Sequence, residues 1–126
     1  MPHAIRLAGP WLMTDDGAAV RVSVPFDLPL AATVLERSFN RPANLGDETK
    51  VFVCLRDCGR LAMVSLDGKA LGGLVPGDQR LDVSGRLTKS HRLRVEVAAG
   101  GPAVFQPATL VIVEPWDEWD DEADAA

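Results

Sequence analysis

The chain lacks several features that define common classes of protein. Tyrosine is absent from its 126 residues, and three tryptophans and four phenylalanines are its only aromatic residues. No apolar run approaches the ~20 residues that a helix needs to span a bilayer. Helical periodicity is nearly absent, which argues against a helical fold. These absences exclude membrane-spanning and helical proteins, and an apolar content of 47% excludes a disordered chain.

Basic charge is not concentrated in any segment, whereas acidic charge is concentrated at one end. Residues 114–126 hold seven of the 18 acids and no base, so residues 1–113 carry 13 bases against 11 acids. Nucleic-acid binding needs a concentrated basic face, so we expect no nucleic-acid partner. The first six residues include Pro2 and lack the long apolar core of a secretory signal. A cytoplasmic protein without a membrane partner is therefore expected.

Only two cysteines are present, Cys54 and Cys58. On one extended strand their Cα atoms would lie roughly 13 Å apart at ~3.3 Å per residue, whereas a disulfide needs under about 7 Å. Two buried free thiols are therefore expected, and no cofactor or metal, since the cysteines and histidines do not complete a zinc site locally. A redox or metal pair stays open, as does a reactive Cys58 whose thiolate Arg56 and Arg60 would stabilise.

Short β-prone runs separated by turn signals predict an all-β protein, because 11 glycines and nine prolines interrupt the chain at short intervals. Val51 to Leu55 is continuously apolar, which is typical of a central strand covered on both faces. Asp67-Gly68 supplies the positive φ values of a type I′ hairpin turn. The predicted strands cover residues 4–7, 19–24, 33–39, 50–55, 61–66, 69–71, 80–83, 91–98 and 108–113.

The order of several short segments resembles one known family. They are Leu7-Ala8-Gly9-Pro10-Trp11, Val24-Pro25, Glu36 to Pro42, Asp67-Gly68 and Leu81 to Leu87. Together they resemble the N-terminal sugar-binding domain of family 2 glycoside hydrolases, here as a stand-alone protein. The resemblance covers about residues 5–98 and implies a galactose-binding-domain-like jelly roll, a β-sandwich of about eight antiparallel strands in two sheets. We expect this domain to occupy residues 1–113. The resemblance also implies that Trp11, Phe39 and Phe52 lie in the core and that residues 84–87 form a helical turn.

No catalytic residue is expected. The resemblance places the family's catalytic glutamates on a separate barrel domain, and no motif of that domain occurs in this sequence. A retaining pair of carboxylates must be held ~5–5.5 Å apart in a cleft, whereas Glu36, Glu48 and Glu96 fall on polar strand faces or in loops. No Gly-x-Ser-x-Gly elbow occurs. His91 is expected at the start of a strand, where the resemblance implies a structural turn position and no catalytic role. The protein is therefore predicted not to be an enzyme.

The acidic segment 114–126 contains two tryptophans, Trp116 and Trp119. Such a segment resembles a short linear motif that docks into a basic, apolar groove of a partner protein. The alternative is that one tryptophan folds back to cap the sandwich, since an exposed ring is costly in water. Arg56, Asp57 and Arg60 are the other candidates for contacts to a ligand or partner.

Two classes of function follow from these observations. The first is a non-catalytic interaction module that binds an unknown protein, plays a structural role or forms a homo-oligomer. The alternative is a carbohydrate-binding module, which the family resemblance implies and the scarcity of aromatic residues does not favour. The first class is the favoured prediction.

Overall fold

The computed structural model describes residues 2–15, 17–73 and 77–118. These parts of the chain contain twelve strands and one short 3₁₀ helix, Ser84–Arg86. No helix among them is long and apolar enough to cross a bilayer. The strands are β1 (His3–Leu7), β2 (Trp11–Asp15), β3 (Ala18–Val22), β4 (Phe26–Asp27), β5 (Thr33–Asn40), β6 (Lys50–Leu55), β7 (Ala62–Leu66), β8 (Lys69–Gly73), β9 (Gln79–Asp82), β10 (Ser90–Val97), β11 (Val104–Phe105) and β12 (Ala108–Val113).

The strands form two main sheets with antiparallel pairing throughout. One sheet has four strands in the order β1-β12-β6-β9, and the other has six in the order β3-β2-β5-β10-β7-β8. A third, two-stranded sheet pairs β11 with β4. The predicted all-β sandwich is confirmed, with more strands than the expected eight. β4 and β11 have only two residues each, and β2 begins with three consecutive apolar residues, so none of the three shows a recognisable alternation in sequence.

The core lies between the inner faces of the two main sheets. Alternate residues of β10 are buried, among them Leu93, Val95 and Val97, as expected for a strand with one face on the core. In β6, Phe52 is buried along with the inward-facing valines, so the predicted central strand is confirmed. Trp11 is fully buried and donates its indole N–H to the Leu7 carbonyl at 2.9 Å, which satisfies its one polar atom.

The hairpin between β7 and β8 has the predicted type I′ turn. Asp67 and Gly68 both have positive φ, 51° and 84°, and the flanking residues Leu66 and Lys69 are paired. The Asp67 carboxylate accepts the backbone N–H of Arg92 at 2.8 Å and contacts Nδ1 of His91 at 2.6 Å. The turn is thereby hydrogen-bonded to the neighbouring strand β10.

His91 is the second residue of β10, so its predicted position at the start of a strand is confirmed. Its ring is buried and its Nε2 accepts the backbone N–H of Thr88 at 2.8 Å. Because Nε2 accepts a hydrogen bond, Nδ1 carries the ring hydrogen and donates a hydrogen bond to the Asp67 carboxylate. Burial raises the pKa of Asp67, but hydrogen bonds from Arg92 and His91 outweigh it and hold that pKa below its usual value.

Candidate ligand-binding groove

The outer face of the four-stranded sheet carries an unusual row of side chains. The register pairs Arg6 with Thr109, Thr109 with Cys54, and Cys54 with Arg80. Along its strand, each member of the row is adjacent to a residue in the core or packed against it, so the row points away from the core. The arginines stand on the two edge strands, and the small threonine and cysteine lie on the two central strands. The row therefore forms a trough with a cationic side chain on either wall.

Loops at one end of the sheet extend this trough into a groove, which we call the arginine groove. Arg56 and Asp57 follow β6, Asp78 precedes β9, and Gln106 precedes β12. Two adjoining depressions of about 640 Å³ and 270 Å³ share Arg56, Asp78 and Thr109, and the larger has the volume of an ordinary ligand site. The residues lining the two are Ala4, Arg6, Cys54, Leu55, Arg56, Asp57, Asp78, Gln79, Arg80, Gln106, Pro107, Thr109 and Val111.

The two aspartates of the arginine groove shape the loops that carry them. Asp78 accepts the backbone N–H of Asp57 at 2.7 Å, and Asp57 accepts that of Gly59 at 2.8 Å. Gly59 has a φ of 79°, a conformation that favours glycine. The loop after β6 is thus tied to the loop before β9. This arrangement sets the position of Arg56 at the mouth of the groove.

Arg6 and Arg56 are exposed, and their guanidinium groups make no hydrogen bond or ion pair to any residue in the described ranges. Arginines on the outer face of the six-stranded sheet differ, because Arg92 pairs with Glu36 at 3.1 Å and Arg94 with Glu96 at 3.0 Å. Beside Arg6, the neighbouring residue of the row is the neutral Thr109. The donors of Arg6 and Arg56 are therefore available to a ligand.

Arg60 does not have the ligand-contacting role that the sequence suggested. It is only 7% exposed, and its guanidinium donates to the carbonyls of Pro29 at 2.7 Å and Gly101 at 2.6 Å, with Ala98 at 3.4 Å. Its stem passes so close to Gly100 that a Cβ there would lie 3.0 Å from Nε. Arg60 is therefore a structural residue that joins three loops, with its donors already committed.

Neither cysteine forms a disulfide, as predicted, but both are half-buried and not fully buried. Cys54 faces the arginine groove because it alternates with the buried Val53 and Leu55 along β6. Cys58 lies in the following loop, with its Sγ 3.8 Å from the Arg60 carbonyl. Because every residue from Val51 to Leu55 is apolar, the sequence did not show which side of β6 faces outward.

Trp116 lies on a turn that is attached to the body of the sandwich. The N–H of Asp117 donates to the Glu114 carbonyl at 2.9 Å, and Thr49 donates to the Glu114 carboxylate at 2.9 Å. The ring of Trp116 is 78% exposed, so the alternative in which it caps the core is wrong. Trp119 lies outside the described residues, and a separate tail over residues 114–126 stays a prediction.

Of the sequence candidates, Arg56 and Asp57 line the arginine groove, while Trp116 is not among its lining residues and Arg60 is buried. Sequence reasoning missed Arg6, Arg80 and Asp78. Only the alternation of exposed Arg6 with Ile5 and Leu7 marks β1 as a strand with an outer face. Nothing along the chain indicates that Arg6 and Arg80 share one row, because strand register across a sheet is not local information.

Comparison with known proteins identifies the class of fold. No protein-family model and no curated protein matches the sequence. Among solved structures, an FMN-binding β-glucuronidase from Faecalibacterium prausnitzii L2-6 is similar with a TM-score of 0.78 at 17% identity, over 90% of this chain and 23% of that one. A β-glucuronidase from an uncultured Clostridium sp. is similar with a TM-score of 0.74 at 15% identity, over 90% and 29%.

A family 2 glycosyl hydrolase from Bacteroides cellulosilyticus DSM 14838 is similar with a TM-score of 0.72 at 14% identity, over 89% of this chain and 21% of that one. The chain thus spans about a quarter of the length of these proteins. The predicted resemblance to a family 2 glycoside hydrolase domain is confirmed at the level of the fold, a galactose-binding-like jelly-roll sandwich. At these identities the likeness concerns the fold alone.

Proposed function

We propose that this domain is a non-catalytic carbohydrate-binding module and that the arginine groove holds the saccharide. The observation that carries the proposal is the row of polar side chains across four hydrogen-bonded strands. Arg6 and Arg56 offer donors that no residue in the described part of the chain engages, while Asp57, Gln106 and Thr109 offer acceptors around the same space. Donors and acceptors that stand together on a sheet and its adjoining loops match the hydroxyl groups of a sugar ring.

Two further points support this proposal over a catalytic one. Structures with the same fold include β-glucuronidases, whose names denote action on sugars, and this chain spans only about a quarter of them. The two groove acids each have one oxygen occupied by a backbone N–H. Such acids position loops, whereas glycoside hydrolysis needs one carboxyl to transfer a proton and the other to attack or activate water.

A groove-filling variant tests the proposal. A glycan array should identify a ligand, and calorimetry should then compare the wild type with Thr109→Trp, in which an indole fills the trough between the arginines. Thr14→Trp is the matched control, because Thr14 is a half-buried, mid-strand threonine on the outer face of the other sheet. Binding should be lost only in Thr109→Trp. Loss in Thr14→Trp alone would place the site elsewhere, and the absence of any glycan ligand would reject the proposal.

Trp116 carries a second candidate function, docking to a protein. A tryptophan that is 78% exposed on an attached turn, beside Glu114, Asp117 and Glu118, suits a partner groove with an apolar floor and a basic rim. Trp116→Ala should abolish capture of one specific protein at unchanged thermal stability, and added salt should weaken that capture. The groove variant Thr109→Trp should retain the partner. Equal capture by Trp116→Ala and the wild type would reject the docking function.

A further inference from the structure

We propose that the arginine groove is selective for saccharides that carry a carboxylate, with that carboxylate bound by Arg6 and Arg56. The proposal rests on the proposed carbohydrate-binding function, since it names the class of sugar that the same site takes. Three independent observations support it: the lining of the groove, the balance of its charges and its width.

The residues that line the groove favour binding through charged groups over stacking on an aromatic ring. No residue that lines either depression in the described chain is aromatic, although sites for neutral sugars gain much from packing the ring against an aromatic face. Phe52 lies in the neighbouring row of the same sheet face, but it is buried. A ligand in this groove must therefore obtain its affinity from polar contacts. Charge-assisted hydrogen bonds are the strongest of these.

The balance of charge favours an anion. Three arginines line the two depressions against two aspartates, Asp57 and Asp78, and one oxygen of each aspartate already accepts a backbone N–H. Arg6 and Arg56 line the same 640 Å³ depression with their guanidinium groups unengaged among the described residues. A planar guanidinium donates two parallel hydrogen bonds to the two oxygens of a carboxylate. A single hydroxyl or a neutral sugar ring cannot accept both bonds.

The width of the groove accommodates a sugar between the charges. Arg6 and Arg80 are separated by three inter-strand spacings, which is about 14 Å between their Cα atoms. The short side chains of Thr109 and Cys54 leave open space between the two arginines. A saccharide lying over these small side chains would present its carboxylate to Arg6 on the β1 wall and to Arg56 at the loop end.

The test is calorimetry of the full chain with trisaccharides of galacturonate and of glucuronate, each compared with its carboxyl-reduced form. Because the two forms differ only in the charged group, at least one acidic trisaccharide should bind about tenfold or more tightly than its reduced form. Its affinity should fall with added salt. Equal binding of a trisaccharide and its reduced form would overturn the acidic-sugar inference and leave the carbohydrate-binding function standing. Absence of binding by every glycan of the array and these trisaccharides would overturn both.

Variants locate the carboxylate. Arg6→Gln and Arg56→Gln should each lower the affinity for the acidic trisaccharide about tenfold or more and leave that for the reduced form unchanged. Arg56→Lys should recover only part of the loss, because a lysine keeps the charge and loses the paired hydrogen bonds. Arg21→Gln is the control, since Arg21 is an exposed arginine on an edge strand of the other sheet. Unchanged selectivity in both glutamine variants would overturn the assignment of residues.

A sulfated trisaccharide and inorganic phosphate complete the comparison. The acidic trisaccharide should bind more tightly than the sulfated one, because carboxylate oxygens are more basic acceptors and form stronger charge-assisted hydrogen bonds. It should bind more tightly than phosphate, because a guanidinium matches both anions but phosphate has no sugar hydroxyls to contact the rest of the groove. Equal or tighter binding of phosphate would overturn the selectivity and define the groove as a general anion site. All variants are surface substitutions, so their melting curves should coincide with that of the wild type.

Discussion

Arg56 and Arg60 are four residues apart on the same loop, and the fold uses them in opposite ways. Arg60 turns inward at the junction of three loops, where its guanidinium donates to the carbonyls of Pro29 and Gly101. Arg56 turns outward into the arginine groove and has no such bond to a described residue. The residue type and the surrounding sequence do not distinguish them. They differ in whether nearby backbone carbonyls already accept hydrogen bonds from the guanidinium group.

The same distinction separates other polar side chains of the molecule. The set whose polar groups are partnered within the fold includes the buried His91, whose two ring nitrogens both have partners. It also includes the surface residue Asp67, whose carboxylate accepts from Arg92 and His91. The outward region includes Arg6 in the groove and Trp116 on its turn. Polar groups of the first kind stabilise the fold, because leaving their partners unsatisfied is costly. Groups of the second kind are free to bind other molecules, and their loss should affect binding alone.

The largest expected effect comes from the interior arginine. Arg60→Met keeps most of the stem but leaves the three loop carbonyls without their donor, so the free energy of unfolding should fall by about 2–4 kcal/mol. Arg56→Met should change it by less than about 0.5 kcal/mol, as surface substitutions do. Urea denaturation of both variants measures the contrast. Similar losses of unfolding free energy at the two positions would contradict the distinction between Arg56 and Arg60.

A smaller loss is expected at the buried histidine. His91→Leu removes the acceptor of the Thr88 N–H and the donor to Asp67, which should cost about 1–3 kcal/mol of unfolding free energy. The control is His3→Leu, because His3 is an exposed residue of β1; it should stay within about 0.5 kcal/mol. Urea midpoints of the two variants measure the difference. A neutral His91→Leu would mean that the buried network contributes nothing to stability.

The Asp67 carboxylate should give a modest dependence of stability on pH. Its pKa is lower in the folded protein than usual, so its contribution is present above the unfolded pKa near 4 and is lost as pH falls through the folded value. Its side chain is 46% exposed, and after screening by solvent the effect should stay below about 1 kcal/mol. Asp67→Asn, which still suits a type I′ turn, should lose this part of the acid dependence. Parallel urea midpoints of the two proteins below pH 4 would refute it.

The smallest stability effect is expected at Trp116. Because its ring is largely in solvent, Trp116→Ala should change the free energy of unfolding by less than about 0.5 kcal/mol. Urea denaturation measures this value directly. A loss of several kcal/mol would place the ring among the interior groups and remove it from the binding candidates.

Some features followed from the sequence because their causes are local. The type I′ turn at Asp67-Gly68 depends on two adjacent residues, and the central position of β6 follows from its uninterrupted apolar run. The burial of Trp11 agrees with the family resemblance. Strands β4 and β11 could not be predicted, because two residues are too few for a pattern and each exists only by pairing with the other.

By itself the sequence determined an all-β sandwich with one buried core, since the alternation of apolar residues repeats with the period of a strand. Tertiary structure alone decided the site. Arg6, Thr109, Cys54 and Arg80 form one row only because β12 pairs with both β1 and β6, and β6 with β9. Shifting any of these pairings by one residue would turn that strand's side chains to the other face of the sheet. The register is set by burying the apolar face of every strand at once, a condition that no single segment contains.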